Sequence, residues 1–330
     1  MAIEGREGIA GLSRRSVLLG AAGATLLGAS GYAFASYRAA LGAARQRVTQ
    51  VSELIGTPFG ALEYAAAGHG DPLLMIHGTG GGFDQGLRFG QALMAQGFKI
   101  IAPSRFGYLR SDYPSDPSPA RQADALAALL DHLGIERLPV AGGSAGALSA
   151  AQFALRHPDR CSALILLVPA MNLTGEDPVE FTPLQRLVVN QLLTSDVWFW
   201  LLSRATPDQL IGSLLATDPR LLRTVSQAER ERARLILHEI MPVSARTRGM
   251  LNDGHYAGSP ADIDLNAITT PTLIVSAEDD RFGTAGTARI IAARIAVARL
   301  IIYPTGGHIW LGRNDELADE IAAFVRGEGG

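Results

Sequence analysis

The sequence has few cysteines, few charged residues and no excess of either charge. Its 330 residues include a single cysteine, Cys161, so no intramolecular disulfide can form. Charged residues make up 18% of the chain, and 29 basic side chains against 32 acidic ones create no field that would attract a nucleic acid or another polyanion. No Cys/His grouping has the spacing of a zinc site. These absences favour a small, largely neutral ligand as the partner.

The first fifty residues differ in composition from the rest of the chain. Ser13-Arg14-Arg15-Ser16 precedes an uncharged run, residues 17–35, which ends in the small-x-small triplet Ala33-Phe34-Ala35. Paired arginines, an apolar run and small residues in this order are typical of a twin-arginine export signal cleaved before Ser36. The run is also just long enough to stay in a bilayer as an anchor.

We therefore expect residues 1–36 to be a signal peptide or a membrane anchor. The protein would then be exported to the periplasm or beyond, or be associated with the membrane through residues 17–35. An N-terminal helix that stays in the cytoplasm is the alternative.

From about Phe59 onward, short apolar runs alternate with segments of helical apolar spacing, such as residues 120–133 and 145–156. Nearly continuous apolar runs predict strands that are covered on both faces. These runs are Leu73 to His77, Lys99 to Pro103, Leu138 to Gly142, Ala163 to Val168, Thr272 to Ser276 and Arg299 to Tyr303. The sequence therefore predicts an α/β fold, a mostly parallel, doubly wound sheet with helices on both faces.

The alternation is interrupted between Asn172 and Ile263, where no run predicts a strand and the apolar spacing is helical. We expect a helical lid, residues 173–258, inserted into a core made of residues 51–172 and 259–330. Inside the lid, the cluster Val197 to Leu202 would either line an apolar substrate tunnel or belong to the hydrophobic core.

The run Gly142-Gly143-Ser144-Ala145-Gly146 closes one predicted strand and opens a predicted helix. A sharp strand-to-helix turn holds its central residue in a strained conformation, and the flanking glycines remove side chains that would collide there. This context favours Ser144 as an exposed nucleophile over a plain glycine-rich helix entry.

A second glycine-rich run, His77-Gly78-Thr79-Gly80-Gly81-Gly82, follows an earlier predicted strand. When a serine attacks a carbonyl, the resulting oxyanion needs N–H donors, and a loop amide together with that of Ala145 can supply them. Thr79 and Gly80 are the expected loop donors, and His77 is expected to pack the loop. A phosphate-binding loop is the alternative, but no Lys-Ser/Thr pair ends the run.

A serine nucleophile needs a base, and His308 follows the last predicted strand in a glycine loop that can reach across to Ser144. His157 lies at the far end of the helix that Ser144 opens, so we expect it to be too distant. Three acids, Glu278, Asp279 and Asp280, follow the penultimate strand, and a carboxylate is expected to orient the imidazole. We choose Asp280, which gives the chain order Ser, Asp, His.

The chain from about Phe59 onward resembles the α/β-hydrolase superfamily. Within it, the resemblance is to the lid-bearing branch, which includes esterases, meta-cleavage-product hydrolases and proline iminopeptidases. The resemblance is carried by His77-Gly78-Thr79-Gly80, Ser104-Arg105-Phe106-Gly107-Tyr108, the turn at Ser144, Asp279-Asp280-Arg281-Phe282 and Gly307-His308. It implies that the acid before an Arg-Phe pair, Asp280, is the triad acid. Two positions depart from the family pattern: Ser104 replaces a frequent aspartate, and Gly283-Thr284 stands where a proline is common.

The resemblance also implies the chemistry. A serine rather than an aspartate in the turn argues against epoxide hydrolases and haloalkane dehalogenases, which need a carboxylate nucleophile. We therefore expect a serine hydrolase that cleaves an ester or related acyl bond of a small substrate and requires no cofactor and no metal. A carbon–carbon bond hydrolase with the same triad and a non-catalytic binding protein are the alternatives.

Overall fold

A computed structural model describes residues 14–173 and 193–328, with side chains from residue 30 onward. It divides the chain into two compact units, residues 1–43 and 44–330. A long helix, α1 (Arg14–Arg47), starts in the first unit. In these described ranges, no helix has both the length and the apolar character needed to span a lipid bilayer. Of the predicted leader, residues 1–13 and the side chains of residues 14–29 lie outside the described residues.

The centre of the second unit is an eight-stranded sheet. Its strands are β1 (Glu53–Thr57), β2 (Gly60–Gly68), β3 (Asp71–Ile76), β4 (Phe98–Pro103), β5 (Leu138–Gly143), β6 (Cys161–Leu167), β7 (Thr272–Ala277) and β8 (Ala298–Tyr303). They lie side by side in the order β1-β2-β4-β3-β5-β6-β7-β8. β2 runs antiparallel to both of its neighbours, and the other pairs are parallel. The predicted mostly parallel sheet is confirmed.

The strands β3 to β8 correspond to the predicted apolar runs, whereas the antiparallel pair of β1 and β2 was not predicted. Strand β2 has the sequence GALEYAAAG, which is rich in alanine and contains no β-branched residue. Such a composition has a low intrinsic tendency to form a strand. Its pairing along β4, with Tyr64 opposite Pro103 and Gly68 opposite Lys99, stabilises it instead.

Helices cover both faces of the sheet, as predicted. The helices that the structure describes after α1 are α2 (Phe83–Phe89), α3 (Gln91–Ala95), α4 (Pro119–His132), α5 (Gly146–Arg156), α6 (Asp196–Ala205), α7 (Pro207–Leu214), α8 (Gln227–His238), α9 (Thr247–Ala257), α10 (Thr284–Arg294) and α11 (Asn314–Arg326). Four of them, α6 to α9, lie between β6 and β7, in the region predicted to be an inserted lid; the described part of that region, residues 193–258, contains no strand.

Alternate side chains of each strand point to opposite faces of the sheet, so the buried apolar residues form two cores. Along β3, Leu74 and Ile76 pack with α4, α5 and α10 in one cluster. Their neighbours Leu73 and Met75 pack with α2, α3 and α11 in the other. This alternation follows from the two-residue period of a strand. Because parallel strands end at the same edge of the sheet, the segments that follow β3, β5, β7 and β8 meet there.

Candidate active site

Ser144 occupies a tight turn between β5 and α5. Its φ of 53° lies in the left-handed region, which a residue with a side chain seldom adopts. The turn leaves no room for side chains on either side: a Cβ on Gly142 would lie 2.6 Å from the carbonyl oxygen of Gly146, and one on Gly146 would lie 2.4 Å from that of His77. Glycines at these two positions therefore allow the turn to hold Ser144 in its strained conformation.

The structure brings together the three residues that the sequence placed in a triad. The imidazole of His308 lies with Nε2 2.8 Å from Ser144 Oγ and Nδ1 2.8 Å from Asp280 Oδ2. An ionised carboxylate can only accept, so the proton resides on Nδ1 and Nε2 is free to accept from the serine hydroxyl. This is the tautomer in which a histidine can act as a general base toward serine.

The environment of Asp280 keeps it ionised. Burial acts to raise the pKa of Asp280, but the hydrogen bond and charge of His308, with the Thr284 hydroxyl and the Phe282 amide, outweigh it and lower the pKa. The pair Gly283-Thr284 stands where the family commonly has a proline, and the Thr284 hydroxyl donates directly to Asp280 Oδ2. The ring edge of Phe282 packs against the imidazole at 4.8 Å between centroids. Asp280 therefore has the charge needed to stabilise an imidazolium.

The two other acids of the same loop have different partners. Asp279 Oδ1 accepts from the backbone N–H of Gly307 at 2.8 Å and so holds the histidine loop. Glu278 lies at the surface, where it pairs with Arg289. The competing histidine, His157, bonds to Asp124 at 3.0 Å and does not contact Ser144.

The glycine loop after β3 lies against the serine turn. A Cβ on Gly78 would lie 2.9 Å from Ser144 Cβ. Next along the loop, the Gly80 N–H donates to the hydroxyl of Tyr108 at 3.4 Å. The N–H groups of Thr79 and Ala145 donate to no backbone or side-chain acceptor within the described residues. The loop that carries Thr79 and Gly80 therefore lies against the serine turn, and the N–H groups of Thr79 and Ala145 have no acceptor among the described residues.

His77 packs the loop, as expected from the sequence. Its Nδ1 contacts the carbonyl oxygen of Gly78 at 2.7 Å, and its Nε2 accepts from the Arg105 amide at 2.9 Å. Burial, followed by the charge of Arg105, lowers the pKa of His77 well below its ordinary value. This histidine is therefore neutral and holds the loop against the turn that follows β4.

A buried polar cluster on the other side of the loop was not predicted from the sequence. Asp253 of α9 accepts two hydrogen bonds from the guanidinium of Arg105, at 2.6 and 2.7 Å, and one from the hydroxyl of Thr79 at 2.9 Å. The Tyr108 hydroxyl also donates to Asp253. We call these four residues the Asp253 cluster. Arg105 and Tyr108 belong to a segment that carried the family resemblance, but no pattern around Asp253 indicated its role.

The apolar cluster in α6 divides between interior and surface. Phe199 is fully buried, whereas Trp198 is 50% exposed and Val197 is 48% exposed. Of the six residues in this cluster, Phe199 alone is fully buried and belongs to the core, and the substrate tunnel stays a prediction for the others. Among the described residues, no group of His, Cys, Asp and Glu side chains is arranged to hold a metal ion.

Comparison with known proteins identifies the family of the chain. The sequence profile of the alpha/beta hydrolase fold matches residues 71–312. An uncharacterized hydrolase of Bacillus subtilis, YcgS, is 32% identical over 271 residues, which cover 77% of this chain and 90% of that protein. The 2-hydroxy-6-oxo-6-phenylhexa-2,4-dienoate hydrolase of Burkholderia cepacia is 26% identical over 251 residues, or 73% of this chain and 82% of the relative.

Among solved structures, an alpha/beta hydrolase fold protein from Nakamurella multipartita superposes with a TM-score of 0.71 at 26% identity, covering 84% of this chain and all of the other. The chain therefore belongs to the α/β-hydrolase family, and it is similar to proteins that are hydrolases.

Proposed function

We propose that this α/β hydrolase is a serine hydrolase that cleaves an ester or related acyl bond of a small apolar substrate. The observation that carries the proposal is the pair of 2.8 Å contacts from His308 to Ser144 and to Asp280. A histidine bonded on both sides in this way connects a nucleophile to a charge that stabilises its protonated form.

In the proposed mechanism, Ser144 Oγ attacks the substrate carbonyl carbon while His308 Nε2 takes the hydroxyl proton. The carbonyl π electrons move to oxygen, and the tetrahedral intermediate then collapses to an acyl-enzyme. His308 returns its proton to the departing alkoxide, which leaves as an alcohol. A water molecule, deprotonated in turn by His308, then attacks the acyl carbon. The bond from that carbon to Ser144 Oγ breaks, Oγ takes the proton back from His308, and the product leaves as a carboxylic acid.

The oxyanion formed at each tetrahedral stage needs donors next to Ser144. We assign this role to the N–H groups of Ala145 and Thr79, because neither donates to an acceptor among the described residues, whereas the Gly80 N–H is directed to Tyr108. The Ala145 amide also lies at the N-terminus of α5, where the helix dipole favours negative charge.

Cleavage of a carbon–carbon bond by the same triad is the second candidate, and the Burkholderia cepacia relative favours it by its name. A dienoate substrate carries a carboxylate, which would call for a free cationic group in the site. Within residues 14–173 and 193–328, the arginines that contact the glycine loop, Arg105 and Arg246, are instead paired with Asp253 and Asp84. That pairing supports a substrate without a carboxylate.

A fluorophosphonate probe tests the proposal, because it reacts covalently only with an activated serine. We expect labelling of the wild-type chain and none of Ser144→Ala, with loss of labelling in His308→Ala. Hydrolysis of p-nitrophenyl esters should exceed hydrolysis of an oxo-dienoate. A wild-type chain that stays unlabelled beside a reactive control hydrolase would leave the non-catalytic binding protein as the better description.

We further propose that the chain is exported through the twin-arginine route, on the strength of Arg14-Arg15 and the apolar run that follows. Fractionation of cells that express the full chain should find it outside the cytoplasm, with an N-terminus at Ser36. Replacing both arginines by lysine should abolish this export. Export unaffected by the replacement would exclude the twin-arginine route.

A further inference from the structure

The Asp253 cluster joins a helix of the inserted region to the glycine loop of the core. Asp253 is 7% exposed and Arg105 is 6% exposed, so their bidentate pair is buried. The helix comes close because Gly249 lies against the ring of Tyr108: a Cβ at position 249 would lie 2.1 Å from the ring. Asp253 and Thr79 are 174 positions apart in the sequence, so only the tertiary fold brings them together.

Two hydrogen-bonded paths connect Asp253 to the glycine loop. The Thr79 hydroxyl donates to Asp253 Oδ2 at 2.9 Å. The Tyr108 hydroxyl donates to the same oxygen and accepts from the Gly80 N–H at 3.4 Å. One carboxylate is thereby linked to the side chain of Thr79 and, through Tyr108, to the peptide group that follows Thr79 Cα, which restricts the movement of Thr79 and so of its N–H.

The charges in the cluster are suited to a fixed support. Burial acts to lower the pKa of Arg105, but the charge and hydrogen bonds of Asp253 outweigh it, so the guanidinium stays charged. Burial and then the charge of Asp253 raise the pKa of Tyr108 well above its ordinary value, so its hydroxyl keeps the proton that it donates. The Arg105 charge also offsets that of Asp253, which limits repulsion between this carboxylate and a developing oxyanion.

We propose that Asp253 is a positioning residue of the oxyanion hole, which acts through the Thr79 hydroxyl to hold the Thr79 N–H toward the carbonyl oxygen of the bound substrate. The inference rests on the proposed serine-hydrolase function. Donors to an oxyanion stabilise the transition state only when they are preorganised, so a support of this kind affects the chemical step more than substrate binding.

Thr79→Val tests the inference with Thr79→Ser as its matched control. Valine keeps the backbone N–H and the branched shape but cannot donate to Asp253, whereas serine keeps the hydroxyl. Each variant is titrated with the fluorophosphonate, and kcat and KM for p-nitrophenyl butyrate are calculated per labelled site. The affinity for a boronic acid, whose serine adduct is tetrahedral, and the melting temperature are measured on the same samples.

We expect Thr79→Val to lower kcat by about tenfold, less than the 10²- to 10³-fold typical of removing an oxyanion donor, and to leave KM within about twofold. The inhibition constant of the boronic acid should rise by a similar factor, since it resembles the transition state. Thr79→Ser should keep kcat within about threefold of wild type, because the bond to Asp253 is retained.

If the hydroxyl has only a structural role, Thr79→Val will lower the labelled fraction and the melting temperature but leave kcat per labelled site unchanged. That result would overturn the inference. Equal kcat values for the valine and serine variants would overturn it as well. In both cases a labelled wild-type chain would leave the serine-hydrolase proposal standing. A wild-type chain that does not react with the probe would overturn both proposals.

Discussion

Asp279 Oδ1 accepts a hydrogen bond from the Gly307 N–H at 2.8 Å, immediately before the histidine that its neighbour Asp280 contacts. Two adjacent acids thus hold the same loop in different ways, one by its backbone and the other by the imidazole.

Asp280→Asn removes the negative charge that stabilises the imidazolium, and an amide at this place can favour the wrong tautomer. We expect kcat to fall by about 10⁴-fold, as measured with a p-nitrophenyl ester at neutral pH.

Asp279→Asn is the matched comparison for this change. An asparagine oxygen can still accept from the Gly307 N–H, so we expect a loss of activity of less than about tenfold. Equal residual activity in the two variants would show that Asp280 is not the orienting acid.

Gly146→Ala should destabilise the protein, because the new Cβ would lie 2.4 Å from the carbonyl oxygen of His77. A backbone atom cannot turn aside, so the serine turn and the glycine loop must separate. We expect the free energy of unfolding to fall by about 1–3 kcal/mol, as measured by urea denaturation.

Gly286→Ala is the control for this substitution. Gly286 lies in α10, and a Cβ there would have no neighbour within 4 Å. Alanine in a helix is favoured over glycine, so this variant should be more stable by about 0.5–1 kcal/mol. A Gly146→Ala variant as stable as the wild type would contradict the close approach at this turn.

The neutral state of His77 predicts a specific dependence of stability on pH. Burial and the charge of Arg105 lower its pKa in the folded protein, while the unfolded chain takes up a proton near the ordinary pKa of 6.5. The unfolded state therefore binds more protons below that pH, so the contribution of His77 to stability is present above it and is lost as pH falls. Between pH 7.5 and 5.5 this loss amounts to about 1.4 kcal/mol.

His77→Asn removes this titration, since asparagine does not ionise. Urea denaturation at the two pH values should therefore show a smaller decrease in the free energy of unfolding for the variant than for the wild type. The comparison uses the change with pH and not the absolute stability, so a uniform loss of stability in the variant does not affect it. Equal decreases would show that His77 is protonated in the folded state.

Burial raises the pKa of the Cys161 thiol to about 12. Its Sγ lies 3.4 Å from the carbonyl oxygen of Ala163, inside the sheet. Because the thiolate is the reactive form, the folded protein should not react with a disulfide reagent at neutral pH. Addition of urea should release one thiol per chain, read by absorbance. Rapid reaction without denaturant would show that β6 opens readily.

Much of the fold follows from the local pattern of apolar residues. Strands β3 to β8 are nearly continuous apolar runs because helices cover both of their faces, so each run indicates a strand without further context. The run of alanines in β2 is different, because its strand conformation depends on pairing with β4, a contact that no local pattern records. A hairpin of this kind can be inferred only after the neighbouring strand is known.

The residues of the candidate site also differ in how far the sequence alone predicts their roles. Ser144, Asp280 and His308 each follow a strand, and parallel strands end at one edge of the sheet, so the glycines and the chain order predict the serine and the histidine. The choice of Asp280 among three consecutive acids also depended on the family resemblance. Asp253 lies on a helix of the inserted region with ordinary neighbours, and its bond to Thr79 spans 174 positions. Its contribution depends on how that helix docks, which is set by the fit of Gly249 against Tyr108.

The bond between Arg105 and Asp253 has a consequence for chimeric enzymes. Inserted regions are attractive units to exchange between relatives when a new substrate is wanted, but here α9, which lies in the predicted insert, supplies the counter-ion of a buried arginine that follows β4. A transplanted insert without an acid at the equivalent of Asp253 would leave that guanidinium buried and unpaired, a change that typically costs about 3–5 kcal/mol. Exchange should succeed when Arg105 is replaced together with the predicted insert. The segment to exchange therefore includes a residue of the core.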